Sequence, residues 1–130
     1  MDRWPPVWQD GEGRDPSAAN GSSIMLLAEY GGHALLLAAD GHAPDLVAAL
    51  DRLGPGGSRP AGRLQLAGFK LSHHGSEKNL SQAILDRLDC ARYLVSTDGS
   101  GHGHPDHQAL LRILRYNLVT PRLLFNHRGD

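Results

Sequence analysis

Residues 23–40 read SIMLLAEYGGHALLLAAD, two apolar runs joined by Gly31-Gly32 and closed by an acid. Glycine enters the positive-φ positions of a tight turn without steric cost, so Ser23–Tyr30 and His33–Ala39 are expected to pair as a β-hairpin. Ile24–Ala28 and Ala34–Ala39 are apolar at successive rather than alternating positions. Such strands are covered on both faces.

Outward from the hairpin, the remaining elements follow from periodicity and punctuation. Pro44 opens a helix through about Leu53, with Leu46, Val47, Leu50 and Leu53 on one face. Gly54–Gly62 is a Gly/Pro-rich loop, and Leu64–Ser72 reads as a strand running directly into His73-His74-Gly75-Ser76. Asn79 followed by Gln82 resembles a capping box for a helix whose stripe is Leu80, Ile84, Leu85 and Leu88. Arg92–Ser96 is a short strand and Thr97–Gly103 a glycine-rich loop. A third helix, from Pro105 or Asp106 to Tyr116, is expected to bury Leu110, Leu111 and Leu114, and Arg122–Phe125 is a last strand. The order ββαβαβαβ is that of an α/β fold. Three short helices cover one face of a five-stranded sheet, so the other face is expected to meet a layer from outside this chain. Residues 1–22, rich in Pro and Gly, read as an irregular lead-in to a single domain over 23–130.

At 130 residues the chain has the length of one domain. Thirteen Lys and Arg against fourteen Asp and Glu give a net charge of −1, so charge alone selects neither nucleic acid nor an anionic membrane. The longest strongly apolar run, Ile24–Ala28, falls far short of the ~20 residues that span a bilayer. Met1–Asp10 has no charged-then-apolar leader pattern, and a cytoplasmic protein is expected. The single Cys90 excludes an internal disulfide and is expected in the core.

Histidine is where the sequence speaks about chemistry: five of the eight fall in two tight clusters. Asp40 stands where an apolar strand ends, a rigid support for a metal ligand, although taken alone a turn-starting, helix-capping Asp is the simpler reading. His73 and His74 also follow a strand end, beside a glycine that permits a sharp turn. Neutral imidazole is a common ligand for zinc and similar ions. On an extended backbone two adjacent histidines point to opposite sides, so one would face the site and the other support it or meet substrate. His102-Gly103-His104-Pro105-Asp106-His107 forms the second cluster. A local metal site on His102, His104 and His107 competes here with a plain helix start at Pro105 and Asp106. Lys78 and Ser76 are weaker candidates for a phosphate oxygen, and His33, His42 and His127 carry no recognisable spacing.

Several of these segments occur in a familiar order: Asn20-x-Ser22-Ser23, Leu36-Leu37-x-x-Asp40, Lys70-x-x-His73-His74-Gly75-Ser76, Ser96-Thr97-x-Gly99 and Gly103-His104-Pro105. The series, over about Asn20–Asn126, resembles the C-terminal half of metallo-β-lactamase-fold metallo-hydrolases, close to the hydrolase domain of competence DNA-uptake channel proteins. The resemblance implies half of an αββα sandwich, a mixed sheet with helices on one face. It implies a zinc or other divalent two-metal site in which Asp40 bridges the metals. One of His73 and His74 would be a ligand and the other would lie near substrate, with His104 at the mouth of the site. It implies a metal-activated water attacking a phosphodiester or similar ester, and a nucleic-acid partner by family alone. The His-x-His-x-Asp-His motif of that family belongs to its N-terminal half. Here the literal match, His102 to His107, comes after Asp40 and His73 instead of before them. The expected partner is therefore a chain carrying the N-terminal half, or a second copy of this one. The alternative is a non-catalytic module that binds a partner through its exposed sheet face.

Overall fold

The structure, a computed structural model, describes residues 18–53 and 62–128. Most of the expected lead-in lies outside the described residues, as does nearly all of the 54–62 loop. Residues Ala18–Gly21 form one helical turn, α1. The chain then runs through β1 (Leu26–Tyr30), β2 (His33–Leu37), α2 (Ala43–Leu53), β3 (Leu64–Leu66), β4 (Gly68–Lys70), α3 (Gln82–Leu85), β5 (Leu88–Cys90), β6 (Arg92–Val95), α4 (His107–Tyr116) and β7 (Arg122–Phe125). Two 3-10 turns, Ser72–Gly75 and Glu77–Asn79, stand between β4 and α3.

The fold is α/β. β1 and β2 form the antiparallel hairpin turning at Gly31-Gly32, and β4, β6 and β7 add in parallel to give a mixed sheet of order β1-β2-β4-β6-β7. Because neighbours in register share a face, the pairing sorts the side chains into rows. Leu27, Leu36, Phe69, Tyr93 and Leu123 form one row across all five strands, on the face with the core. Leu36, Phe69 and Tyr93 are at most 3% exposed. On this side α2 buries Ala43, Leu46 and Leu50, and α3 buries Ile84 and Leu85 between α2 and α4.

The next row, Leu26, Leu37, Lys70, Leu94 and Leu124, lies on the opposite face. Leu26 is 53% exposed and Leu124 44%, so this face is apolar and open among the described residues. Leu35 and Leu94 lean over Gly68, where an added Cβ would stand 3.0 and 3.4 Å from their methyl carbons. Gly68 thus lets the central strand pass beneath leucines that no other layer of the described residues covers. No helix among the described residues is long and apolar enough to cross a membrane.

Three expectations need correction. The strand read as Leu64–Ser72 is two: Leu64–Leu66 pairs with β5 in a separate two-stranded sheet, and only Gly68–Lys70 enters the main one. The break at Ala67, whose N–H donates to Ala34 O at 2.7 Å, leaves the alternation of Leu64 and Leu66 undisturbed and is silent in the sequence. Asn79 does not cap α3; Ser81 does, its Oγ accepting from Ile84 N at 3.3 Å, and Leu88 belongs to β5.

The third correction concerns α4, which turns Ala109, Arg112 and Ile113 inward and leaves Leu114 45% exposed. Arg112 is the cause. Arg112 is 3% exposed, and its guanidinium donates to Glu77 O at 2.5 Å and Leu80 O at 3.0 Å, bonds that require its face of the helix to point at the 3-10 turn. Ile113→Ala is accordingly expected to cost about 2–5 kcal/mol, as buried aliphatic truncations do. Leu114→Ala should cost less than about 1 kcal/mol, as exposed substitutions do. Urea denaturation of the two variants checks the assignment.

Candidate active site at the strand ends

The C-terminal ends of β2 and β4 lie side by side because the strands are parallel, and loops at such ends collect functional groups. His73 N–H donates to Ala39 O at 2.8 Å, which joins the loop after β4 to the turn that carries Asp40. Gly41 O, one residue on, accepts from Ser72 Oγ at 2.6 Å and from Asn79 Nδ2 at 3.0 Å. Gly41 is closely packed, since an added Cβ would stand 2.7 Å from Met25 Sδ and 3.1 Å from Ala38 O and would have to displace the methionine side chain.

His73 and His74 do not sit on extended backbone. Both are left-handed, at φ 48° and 57°, and Gly75 follows at 87°. Ala39, beside Asp40, is also left-handed at φ 47°. A non-glycine residue in this region costs about 1–2 kcal/mol. The alternation argument for opposite-facing histidines therefore does not apply. The two rings stand 6.2 Å apart, and His104 comes within 5.3 Å of His73.

His104 is delivered by the segment before α4. An added Cβ at Gly75 would lie 2.7 Å from Pro105 Cβ, and Asp106 N–H donates to Gly75 O at 3.0 Å, so the two loops are closely fitted. The His104–Pro105 peptide is cis. Asp106 opens α4 without a side-chain cap to it. One of its oxygens instead faces His104 Nδ1 at 3.2 Å and the other accepts from Glu77 N–H at 2.8 Å.

Each of three imidazoles is thus anchored through Nδ1: His73 beside Asn79 Oδ1 at 3.2 Å, His74 against Ser96 O at 2.6 Å, and His104 against the Asp106 carboxylate. A carbonyl oxygen only accepts, so His74 Nδ1 carries its proton and, in the neutral ring, Nε2 keeps a lone pair. The same logic gives His104 an Nε2 lone pair. This outer-shell arrangement is what orients metal-ligating or proton-transferring imidazoles.

Asp40 is half-buried at the end of β2. Its charge reaches Lys70, the cation in the middle of the open face. Burial pushes the Lys70 ammonium below the ordinary lysine pKa, and Asp40 opposes that shift. His102 is exposed and its ring lies 5.9 Å from His104. His107 instead lines a shallow hollow with Leu110 and Leu111. Among the described residues no three His, Cys, Asp or Glu side chains converge closely enough to hold a metal ion. The local His102, His104 and His107 centre is therefore not formed. The donors at the strand ends fit a divalent metal in kind and fall short of it in number, since a catalytic zinc takes about three protein ligands.

Of the remaining candidates, Ser76 is buried and its Oγ accepts from Lys78 N–H at 3.4 Å, while Lys78 itself is exposed. Cys90 is buried as a thiol donating to Arg92 O, and burial raises its pKa to about 11. The orienting groups Asn79, Ser96 O and Asp106 are not apparent in the sequence as parts of the site. The one available signal was an Asp two residues after His104. Against known families, curated proteins and solved structures, the chain finds no match.

Proposed function

We propose that this chain is the C-terminal half of a metal-dependent hydrolase of the metallo-β-lactamase fold, acting on a phosphodiester or similar ester. The observation that carries the reading is the gathering of His73, His74 and His104 at the strand ends, each anchored at Nδ1, next to the turn bearing Asp40. In this reading Asp40 and His73, the more deeply held imidazole, would be the metal ligands supplied by this chain. His74 and His104 face substrate, where an Nε2 lone pair accepts a proton or a neutral ring orients a leaving group. A bound divalent metal such as zinc would supply a water of lowered pKa. The missing ligands would come from a second polypeptide carrying the His-x-His-x-Asp-His motif, or from a second copy of this chain. A nucleic-acid phosphodiester and a cytoplasmic setting belong to the same proposal, the first resting on the resemblance.

The test is turnover of bis(p-nitrophenyl) phosphate with zinc. The chain alone is expected to be nearly inactive, and activity should appear when a polypeptide bearing the N-terminal motif is added. Failure of every such polypeptide to raise turnover would remove the reading.

The open sheet face favours a second reading, a module whose role is to bind a partner there without chemistry of its own. Five leucines on that face, Leu26, Leu35, Leu37, Leu94 and Leu124, leave an apolar surface of the kind that marks an interface. Leu26→Glu with Leu124→Glu is expected to reduce self-association in analytical ultracentrifugation and leave the circular dichroism spectrum unchanged. Unchanged association would mean that this face meets nothing.

A further inference from the structure

The side chain of Asn79 is 0% exposed and spans from the Asp40 turn to the His73 ring. We infer that Asn79 is the positioning residue of the site, holding His73 as its Nδ1–H tautomer while clamping the Asp40-Gly41 turn to the histidine loop.

The assignment follows from polarity. A buried carboxamide satisfies both its ends. The Asn79 amide nitrogen donates to Gly41 O at 3.0 Å, and a carbonyl cannot donate back, so the orientation of the amide is settled. Its oxygen then faces His73 Nδ1 at 3.2 Å. An amide oxygen only accepts, so this ring nitrogen bears the proton and the neutral ring keeps its lone pair on Nε2. Asn20 Nδ2 also stands near His73 Nδ1, at 3.4 Å, and would favour the opposite tautomer. That contact is longer, and accepting it would set two lone pairs face to face between His73 and the buried Asn79, so the Asn79 bond prevails.

Sequence position makes the linkage effective. Asn79 ends the second 3-10 turn, six residues after His73, and Gly41 O also receives Ser72 Oγ. One carbonyl therefore ties together the turn after β2, the loop after β4 and the 3-10 turn. The left-handed backbone at His73 is held at both sides, by Ala39 O on its own N–H and by Asn79 on its ring.

The inference deepens the proposed function and rests on it only for its consequence, because an Nε2 lone pair is what a metal ligand needs. The tautomer itself is measurable without metal. Long-range 1H–15N NMR of the metal-free chain, at a pH where the imidazoles are neutral, is expected to show His73 protonated at Nδ1. Asn79→Ala should move His73 toward the Nε2–H form, and Asn79→Asp, whose carboxylate still accepts, should keep Nδ1–H. A wild-type His73 protonated at Nε2 would overturn the inference, as would an unchanged tautomer in Asn79→Ala. If Asn79→Ala does not fold, the wild type and Asn79→Asp still decide it. Zinc titration of the same proteins, each combined with a polypeptide bearing the His-x-His-x-Asp-His motif, separates the two readings. Binding roughly tenfold weaker in Asn79→Ala, restored in part by Asn79→Asp, supports both, since loss of an outer-shell partner costs about 10–100-fold in metal affinity. A tautomer shift with unchanged zinc binding leaves Asn79 as the positioning residue and removes His73 from the metal shell.

Discussion

Asp40→Ala, in the chain combined with a polypeptide that completes the site, is expected to lose more than about 100-fold in turnover, the upper end of what an outer-shell loss costs. The reason is position. Asp40 follows a buried-face strand on a turn fixed by Gly41 N–H to Ala38 O at 3.0 Å, and that turn is bonded to the histidine loop. A carboxylate acting as a direct bridge has no substitute within the turn. Its removal also takes from Lys70 a charge that opposes the burial-driven fall of its pKa. Steady-state kinetics of the variant against phosphodiester substrate checks this. Turnover within about threefold of the parent would assign Asp40 to the turn alone, since a tenfold change corresponds to only ~1.4 kcal/mol of transition-state stabilisation.

The largest effect on stability is expected from Phe69→Ala, about 3–5 kcal/mol. Phe69 is 0% exposed on the central strand and its ring centroid lies 6.0 Å from that of Tyr93, with the planes tilted by 57°. Tyr93 in turn donates to Asn117 Oδ1 at 2.5 Å, and Asn117 Nδ2 donates to Cys90 O at 2.9 Å and Val119 O at 2.7 Å. Losing Phe69 opens a cavity beside a ring whose hydroxyl organises the end of α4. Leu124→Ala, on the open face, should cost less than about 1 kcal/mol. Comparable losses from the two substitutions, read from chemical denaturation, would mean that both sheet faces are covered.

What the sequence made legible and what it hid divide along a physical line. The hairpin was visible because Gly31-Gly32 and two apolar runs are local. The open face was visible because strands without a polar side and three short helices cannot all be satisfied. Asp40, His73 and His74 were singled out as strand-end residues, and the bond from His73 N–H to Ala39 O links their loops. The misreadings came from partners distant in sequence. The face of α4 is set by Arg112 reaching carbonyls more than thirty residues earlier, so a leucine stripe at helical spacing pointed the wrong way. The break between β3 and β4 follows from which strands they pair with, and that leaves no mark in the alternation of Leu64 and Leu66. Asn79 looked like a helix cap because a capping box is a short-range pattern, whereas its bonds go to Gly41 and His73. The left-handed backbone at His73 and His74 has no signature in the sequence, because nothing in two adjacent histidines specifies positive φ.

The central claim, that this chain presents part of a metal shell and needs a second polypeptide to complete it, is tested most directly by equilibrium zinc binding with the purified 130-residue chain. The chain alone is expected to bind zinc weakly and without a defined stoichiometry, and tightly once a polypeptide bearing the His-x-His-x-Asp-His motif is added. Stoichiometric binding of two zinc ions by the monomeric chain alone would contradict the account.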